Sequence, residues 1–244
     1  MCLRPWTLSI SLVACLWSMT RPASGLEEPS IREAVKVGDS VVCLYVGGSF
    51  GVWETKGGRF DPDLSAALSK QKVSHLASDG RRMWAVEGAR LLAWSPQPKA
   101  WEQVAEFDAG GEELAGVAVS GGTPLLVFPT RVVSPTDRRT FEVPLLKGQL
   151  ELKRLHVLAL QPTERSLWIG TGQGEWGGHL VGIDLRTGKW VQFYDSLHYV
   201  TGITLGPEDG PIVSWSMSHF DADTLIRVHK PDATPRISHP ELVS

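Results

Sequence analysis

The chain is poor in cysteine, and the positions of its cysteines exclude a disulfide framework. Only three occur among 244 residues, at Cys2, Cys15 and Cys43. The first two lie in an apolar N-terminal segment, so loss of that segment leaves Cys43 alone. Without an internal disulfide, stability must come from packing. We predict that Cys43 is a small buried side chain on a strand, the usual place of a free cysteine.

Neither a basic stripe nor a long hydrophobic run is present. The 24 Lys and Arg residues face 27 Asp and Glu residues, giving a net charge of −3. This balance excludes the electrostatic footprint of a nucleic-acid-binding protein. The apolar run at residues 6–19 is fourteen residues long, which is too short to cross a bilayer as a helix.

The first 25 residues are typical of an export signal. Arg4 supplies a positive start, the apolar run follows, and small residues stand at 23–25, where a signal peptidase cuts. We predict a signal peptide over residues 1–25 and one domain over residues 26–244. The mature chain then has 22 basic and 27 acidic residues, a net charge of −5.

A second interpretation of the same segment stays open. Residues 12–15 read Leu-Val-Ala-Cys, which resembles the lipobox of bacterial lipoproteins and would make Cys15 the acylated first residue. Only about six apolar residues precede this box, fewer than signal peptides normally have. The protein is therefore predicted to be secreted or periplasmic, with membrane anchoring through Cys15 as the alternative.

The chain does contain a repeat. An apolar residue, six mostly polar or turn-forming residues and an apolar pair recur five times. The first residue of each copy is Val35, Leu76, Val119, Leu160 and Leu205, at steps of 41, 43, 41 and 45 residues. A period of roughly 40–45 residues is that of a four-stranded propeller blade. We predict an all-β protein, a β-propeller of five four-stranded blades that follows the N-terminal signal segment.

Two units show the strands most clearly. In the fourth, apolar strands at 156–160, 166–171, 180–185 and 190–194 are separated by turn residues. Three positions of the second unit match it at equal spacing: Trp84 with Trp168, Trp94 with Ile183, and Trp101 with Trp190. Sheets this small cannot bury both faces alone, so they must stack on one another. One capped helical turn is predicted at residues 61–68.

Two ways of closing the ring remain open. Residues 26–33 could pair beside residues 225–229, or residues 236–238 could complete the last blade from its own side. A partial ring that closes only by dimerisation is the structural alternative, because a propeller protects its strand edges by closure.

One strand carries a family resemblance. Residues 166–171 read Ser-Leu-Trp-Ile-Gly-Thr, and a glycine-marked third strand follows at residues 180–184. This sequence motif resembles the bacterial two-component-regulator propeller repeat, and a weaker copy of the motif begins at Met83 and Trp84. The resemblance covers two blades and implies an extracytoplasmic sensing or binding module. No kinase or DNA-binding segment accompanies it in this sequence.

The best site candidate lies over blades four and five. In an antiparallel blade, the loop between strands two and three shares a face with the connector to the next blade. That loop is long at residues 170–178 and 216–224, and the connector between the two blades is polar. The side chains predicted to share this face are Trp176, His179, Asp195, His198, Tyr199, His219, Asp221 and Asp223.

Specific chemistry has little support in the sequence. The glycine-rich loop joins two strands, whereas a phosphate loop opens a helix. Residues 219–223 have fewer carboxylates than a calcium loop supplies. No nucleophile elbow or zinc motif appears, and the inner strands lack the paired carboxylates of glycosidases. We therefore predict no cofactor, no metal and a non-catalytic module that binds an unknown protein, peptide or glycan. The alternative is a carbohydrate-active hydrolase or lyase using this cluster.

Overall fold

The computed structural model describes residues 30–143, 157–172, 178–195, 199–205, 211–217 and 222–227. Within the unit that spans Ile31–Ser244, the described strands form five antiparallel sheets that follow one another along the chain. They are arranged as a β-propeller, which confirms the predicted all-β class and repeat architecture. Strands of one sheet are consecutive in sequence, so each sheet is a meander.

The strand bounds follow the repeat. The first sheet contains β1 (Ile31–Val37), β2 (Ser40–Tyr45) and β3 (Phe50–Glu54). The second contains β4 (His75–Ser78), β5 (Met83–Glu87), β6 (Arg90–Ser95) and β7 (Ala100–Glu106). The third contains β8 (Gly116–Ser120), β9 (Thr123–Val127), β10 (Arg131–Ser134) and β11 (Arg139–Glu142).

The last two sheets have the same order. The fourth contains β12 (Val157–Pro162), β13 (Ser166–Thr171), β14 (Gly178–Asp184) and β15 (Trp190–Asp195). The fifth contains β16 (Tyr199–Leu205), β17 (Pro211–Met217) and β18 (Ala222–Arg227). Residues 228–244, which follow β18, lie outside the described residues, as do most of the residues predicted to close the ring.

The first sheet differs from the predicted four strands because a helix follows β3. Helix α1 (Pro62–Leu68) begins at the predicted place, with Asp61 as its N-cap. The Asp61 carboxylate accepts the N–H of Leu64 at 2.9 Å, and proline opens the helix, where its missing N–H costs nothing. The predicted capped turn is therefore confirmed.

Two serines of this helical segment accept the backbone N–H groups that a fourth strand would otherwise bond. Ser65 Oγ accepts the N–H of Val52, and Ser69 Oγ accepts the N–H of Phe50, each at 3.0 Å. Both amides belong to β3, at the edge where a fourth strand would pair. A buried N–H left unpaired is costly, so one helical face with hydroxyls four residues apart satisfies this edge.

The first strands of the five sheets form the innermost layer. Strands β1, β4, β8, β12 and β16 contact one another in that order. The first two are joined by a parallel bridge between Val37 and Gly80, and Ser78 Oγ donates to the carbonyl of Lys36 at 2.9 Å. The first two inner strands therefore run in the same direction, as a propeller requires.

Four hydrophobic clusters fill the spaces between consecutive sheets in the described part of the chain. Each draws on both neighbours. Leu44 of the first sheet meets Met83 of the second, and Leu125 of the third meets Ile169 of the fourth. Cys43 is 1% exposed, so the free thiol is a core side chain, as predicted.

The Trp-Ile-Gly-Thr strand β13 shows why its residues have these identities. Leu167 and Ile169 pack towards the third sheet, whereas Trp168 packs towards the fifth. The Trp168 ring lies across Gly182, the residue paired with it, where an added Cβ would come within 2.6 Å of the ring. Trp84 faces Ala93 in the equivalent pair of the second sheet. The motif thus places one broad ring on a small partner between two sheets.

Register also tests the alignment of the repeats. The pairs Trp94–Trp101 and Ile183–Trp190 are equivalent, as predicted. In the first sheet, however, Val42 packs towards the following sheet, whereas Met83, its counterpart in the signature, packs towards the preceding one. Because a shift of one residue reverses the face of a strand, the predicted alignment of the first unit is wrong by one residue. Val213 of the fifth sheet packs towards the preceding sheet, whereas its counterpart Trp168 packs towards the following one. The predicted alignment of the fifth unit is therefore also wrong by one residue.

Candidate functional site

The eight predicted site residues fall into three groups. Trp176, His198, His219 and Asp221 lie outside the described residues. Asp195, Tyr199 and Asp223 are described as strand backbone. His179 alone is described with its side chain.

Backbone register places the second group close together. Tyr199 pairs with Ser216, and Ser216 pairs with Asp223. Tyr199, Ser216 and Asp223 therefore form one row across the fifth sheet. Asp195 pairs with Gly178 at the end of the fourth sheet, and only three residues separate it from Tyr199 in sequence. Strand β16 contacts β13 and β14 of the fourth sheet. These backbone positions therefore lie at adjoining ends of two neighbouring sheets.

His179 is placed differently. It is 4% exposed, and its N–H donates to Thr171 Oγ1 at 3.1 Å. Alternation along β14 gives it the same face as Val181 and Ile183, which pack towards the third sheet. Burial lowers the pKa of the imidazole below its ordinary value, so the ring is neutral at pH 7. The structure does not bring His179 to the boundary between the fourth and fifth sheets.

A half-buried carboxyl that sequence reasoning missed lies near the start of the innermost strand β1. The Glu33 carboxylate accepts the N–H of Leu76 on β4, and so bridges the first two sheets. Burial raises the pKa of Glu33 to about 7, although the hydrogen bond from Leu76 and the charge of Arg32 act in the opposite direction. This carboxyl therefore titrates near neutral pH.

His75 lies beside this bridge, at the start of β4. It is 8% exposed, and its Nδ1 lies 3.0 Å from Ser74 Oγ. Burial, with a smaller contribution from Arg32, lowers the pKa of His75 to about 4. The sequence signal for both groups is their position just before the first apolar residue of a repeat, Val35 or Leu76.

The chemistry open to these groups is limited. Glu33 is bonded to a backbone amide of the neighbouring inner strand and so joins β1 to β4, and His75 contacts the hydroxyl of the adjacent Ser74. Within the described residues, no group of three or more His, Cys, Asp or Glu side chains is placed to hold a metal ion. The same part of the chain contains no helix long and apolar enough to span a bilayer.

Comparison with known proteins gives similarity at the level of structure alone. No family model matches the chain, and no curated protein matches it by sequence. Solved structures are similar to it, among them the following three. One is the extracellular domain of the putative hybrid two-component system BT4673 from B. thetaiotaomicron, with 14% identity and a TM-score of 0.53 over 84% of this chain and 28% of that one.

The second is PorZ of Porphyromonas gingivalis, a surface component of the type-IX secretion system, with 16% identity and a TM-score of 0.51 over 84% of this chain and 26% of that one. The third is the computationally designed protein Ika8, with 12% identity and a TM-score of 0.51 over 81% of this chain and 58% of that one. The chain thus spans well under two thirds of each of these proteins. At these identities the similarity establishes the fold, a β-propeller.

Proposed function

We propose that this protein is an exported, non-catalytic binding or protein-interaction module whose main ligand surface lies over the fourth and fifth sheets. One observation carries the proposal: the register brings the backbones of Asp195, Tyr199 and Asp223 to adjoining strand ends. Strand ends and the loops beyond them are where a rigid sheet scaffold presents binding residues. We include in this surface the predicted loop residues Trp176, His198, His219 and Asp221, whereas His179 is buried within β14.

Export is part of the proposal and rests on the N-terminal sequence. A positive residue, an apolar run and small residues at 23–25 are the parts of a signal peptide. The similar structures include an extracellular domain and a surface component, which supports the same location. The mass of the exported chain separates the alternatives: a terminus near Leu26 indicates cleavage, and a diacylglyceryl group on Cys15 indicates a lipoprotein.

Binding is tested with a peptide library and a glycan array, because the ligand is unidentified. The variant Asp195→Asn/Asp221→Asn/Asp223→Asn removes three carboxylates from the proposed surface. The matched control Asp39→Asn/Asp63→Asn/Asp137→Asn removes three exposed carboxylates elsewhere. We expect wild type and the control to retain the same ligands and the site variant to lose at least about tenfold in affinity, as loss of paired charges does. Equal binding by all three proteins would refute the proposed surface.

The hydrolase alternative is decided on the same array. Paired carboxylates are what glycoside hydrolysis requires, and the site variant removes them. Release of new reducing ends by wild type, abolished in the site variant and kept in the control, would replace the binding-module proposal by the enzymatic one. We expect retention of ligand without cleavage.

A further inference from the structure

A second groove lies between the outer edges of the third and fourth sheets. It is lined by β11 on one side and by the turn from β14 to β15 on the other, and it is open to solvent, with a volume of about 680 Å³. Its walls are Arg139–Glu142 and residues 186–190. None of these residues belongs to the cluster over the fourth and fifth sheets. Trp190 and Asp195 are opposite ends of the six-residue strand β15, about 17 Å apart along an extended strand.

The two walls of the groove are fixed to each other. The Arg139 guanidinium donates to the carbonyl oxygens of Leu185 and Arg186 at 2.7 and 3.2 Å. Its central carbon lies 4.7 Å from the centre of the Phe141 ring. Gly188 has a φ of +74°, and a Cβ there would approach Phe141 to 3.3 Å. The turn therefore needs glycine to rest on the third sheet, and the groove is held open before any ligand arrives.

The turn also has a defined internal geometry. The Asp184 carboxylate accepts the N–H groups of Arg186 and Thr187 at 2.8 and 2.9 Å. The N–H of Lys189 donates to Thr187 Oγ1 at 3.3 Å. Because these bonds fix the backbone, the side chains of Arg186 and Lys189 project from a preorganised turn.

The charge of the groove is opposite to that of the chain. Arg139, Arg186 and Lys189 line it with one acid, Glu142, whereas the whole chain has a net charge of −3. Within the described ranges, Arg186 and Lys189 form no salt bridge within 4.0 Å. Both residues are exposed. The Asp184 carboxylate of the same turn interacts electrostatically with Arg186, and both cationic residues remain exposed to a ligand.

Apolar surface lies next to these cations. Trp190 is 37% exposed, which places it among the exposed large hydrophobic residues of the described chain. Exposed apolar groups rimmed by charge are typical of interaction sites, and tryptophan and arginine are enriched in them. Strand β11 is the edge strand of its sheet, so alternate backbone groups are free to bond an added extended segment.

We propose that this groove binds an acidic, extended polypeptide segment of a partner protein. Carboxylates of the segment pair with Arg186 and Lys189, and an apolar side chain of the segment packs on Trp190. A fixed guanidinium at Arg139 and the edge of β11 complete the contact through hydrogen bonds.

The test uses a labelled eight-residue peptide of alternating glutamate and leucine, with two matched peptides in which glutamine or lysine replaces glutamate. Fluorescence anisotropy of the full mature chain measures binding at low and high salt. We expect the glutamate peptide to bind, the other two to bind at least about tenfold more weakly, and added salt to weaken binding because the ion pairs are exposed.

Variants locate the binding. Arg186→Gln/Lys189→Gln should weaken binding of the glutamate peptide by about tenfold or more, since two open charges are lost. The control Lys70→Gln/Arg81→Gln removes two exposed cations elsewhere and should leave binding unchanged. Trp190→Ala should also weaken binding, with its melting temperature measured alongside. Because the charge variants are at the surface, they keep the test valid even if the tryptophan variant is unstable.

Three results would overturn the proposal. Equal binding of the glutamate and glutamine peptides would remove the role of charge. Equal loss in the site variant and its control would place binding elsewhere. Binding of an oligogalacturonate probe without binding of the peptide would assign the groove to acidic polysaccharides. Loss of the groove leaves Asp195 and the loops near it unchanged, so the result is independent of the proposed surface over the fourth and fifth sheets.

Discussion

At the residue scale, Glu33 and His75 give the protein two opposite dependences on pH. The pKa of Glu33 rises from 4.5 to about 7 on folding, so the folded chain binds more protons between these values and stability falls as pH rises through them. The pKa of His75 falls from 6.5 to about 4, so stability rises as pH rises from 4 to 6.5. In the shared interval the two effects oppose each other.

We expect Glu33→Gln to make the protein more stable than wild type at pH 8 and equally stable near pH 4. The amide keeps an oxygen that can accept the N–H of Leu76 but has no charge to bury. Because the pKa of Glu33 rises from 4.5 to about 7, the difference in the free energy of unfolding at pH 8 is at most about 3 kcal/mol. Urea unfolding from pH 4 to pH 8 measures it.

The same titration reveals the contribution of His75. Without Glu33, the free energy of unfolding should rise steadily from pH 4 to 6.5. The control Glu102→Gln alters an exposed carboxylate on β7 and should follow wild type at every pH. A Glu33→Gln variant that is less stable than wild type at pH 8 would contradict the desolvation argument.

The sequence did not predict that Glu33 and His75 are shielded from solvent. Glu33 and His75 precede the first apolar residue of their repeats. A polar residue at this position usually indicates where a strand begins. What makes them unusual is burial against a neighbouring sheet about forty residues away, as in the bond from Glu33 to Leu76. Spacing shows which residues start a strand, but not what covers them.

At the element scale, α1 shows how a helix can replace a strand. Its serines satisfy amides of β3, and Trp101 Nε1 donates to the carbonyl of Leu68 at 3.2 Å, which joins the helix to the second sheet. The capping residues made the helix predictable from sequence. The absence of a fourth strand in the first sheet was not predictable. It depends on hydrogen bonds from backbone amides of β3 to serine hydroxyls that lie 13 and 19 residues further along the chain.

We expect Ser65→Ala to lower the free energy of unfolding by about 1–3 kcal/mol, the cost of leaving a buried N–H unpaired. The affected amide is that of Val52, which should lose protection from hydrogen exchange. The control Ser95→Ala removes an exposed hydroxyl whose bond is to the nearby carbonyl of Gln97. It should change stability little. Unaltered protection at Val52 in the Ser65 variant would show that the helix is not needed to satisfy this edge.

The repeat itself was readable because it depends on local chemistry. Tryptophans, turn residues and apolar pairs recur at fixed spacing, and register confirms the matches around Trp94 and Ile183. The phase of the first and fifth units was misread because Val42 and Val213 are flanked by other apolar residues, Val41 and Ile212. Where both neighbours are apolar, alternation no longer distinguishes the two faces of a strand.

At the scale of the whole molecule, each sheet depends on its neighbours. Sheets of three or four short strands bury one face against the preceding unit and the other against the next, so stability is approximately a sum over neighbouring contacts. Gly170 lies at one such contact. A Cβ there would approach Val200 Cγ1 to 2.3 Å and Val200 Cβ to 2.8 Å, and a β-branched side chain next to the backbone has little room to move.

We expect Gly170→Ala to destabilise the protein by about 1–3 kcal/mol through overpacking. The control Gly47→Ala adds the same methyl group in open space, with a backbone angle that alanine accepts, and should be nearly neutral. Hydrogen exchange should show the largest loss of protection in the fourth and fifth sheets and a smaller loss in the second, which borders neither of them, because nearest-neighbour coupling weakens with distance. Equal loss in all five sheets would instead show that the propeller unfolds as one indivisible unit.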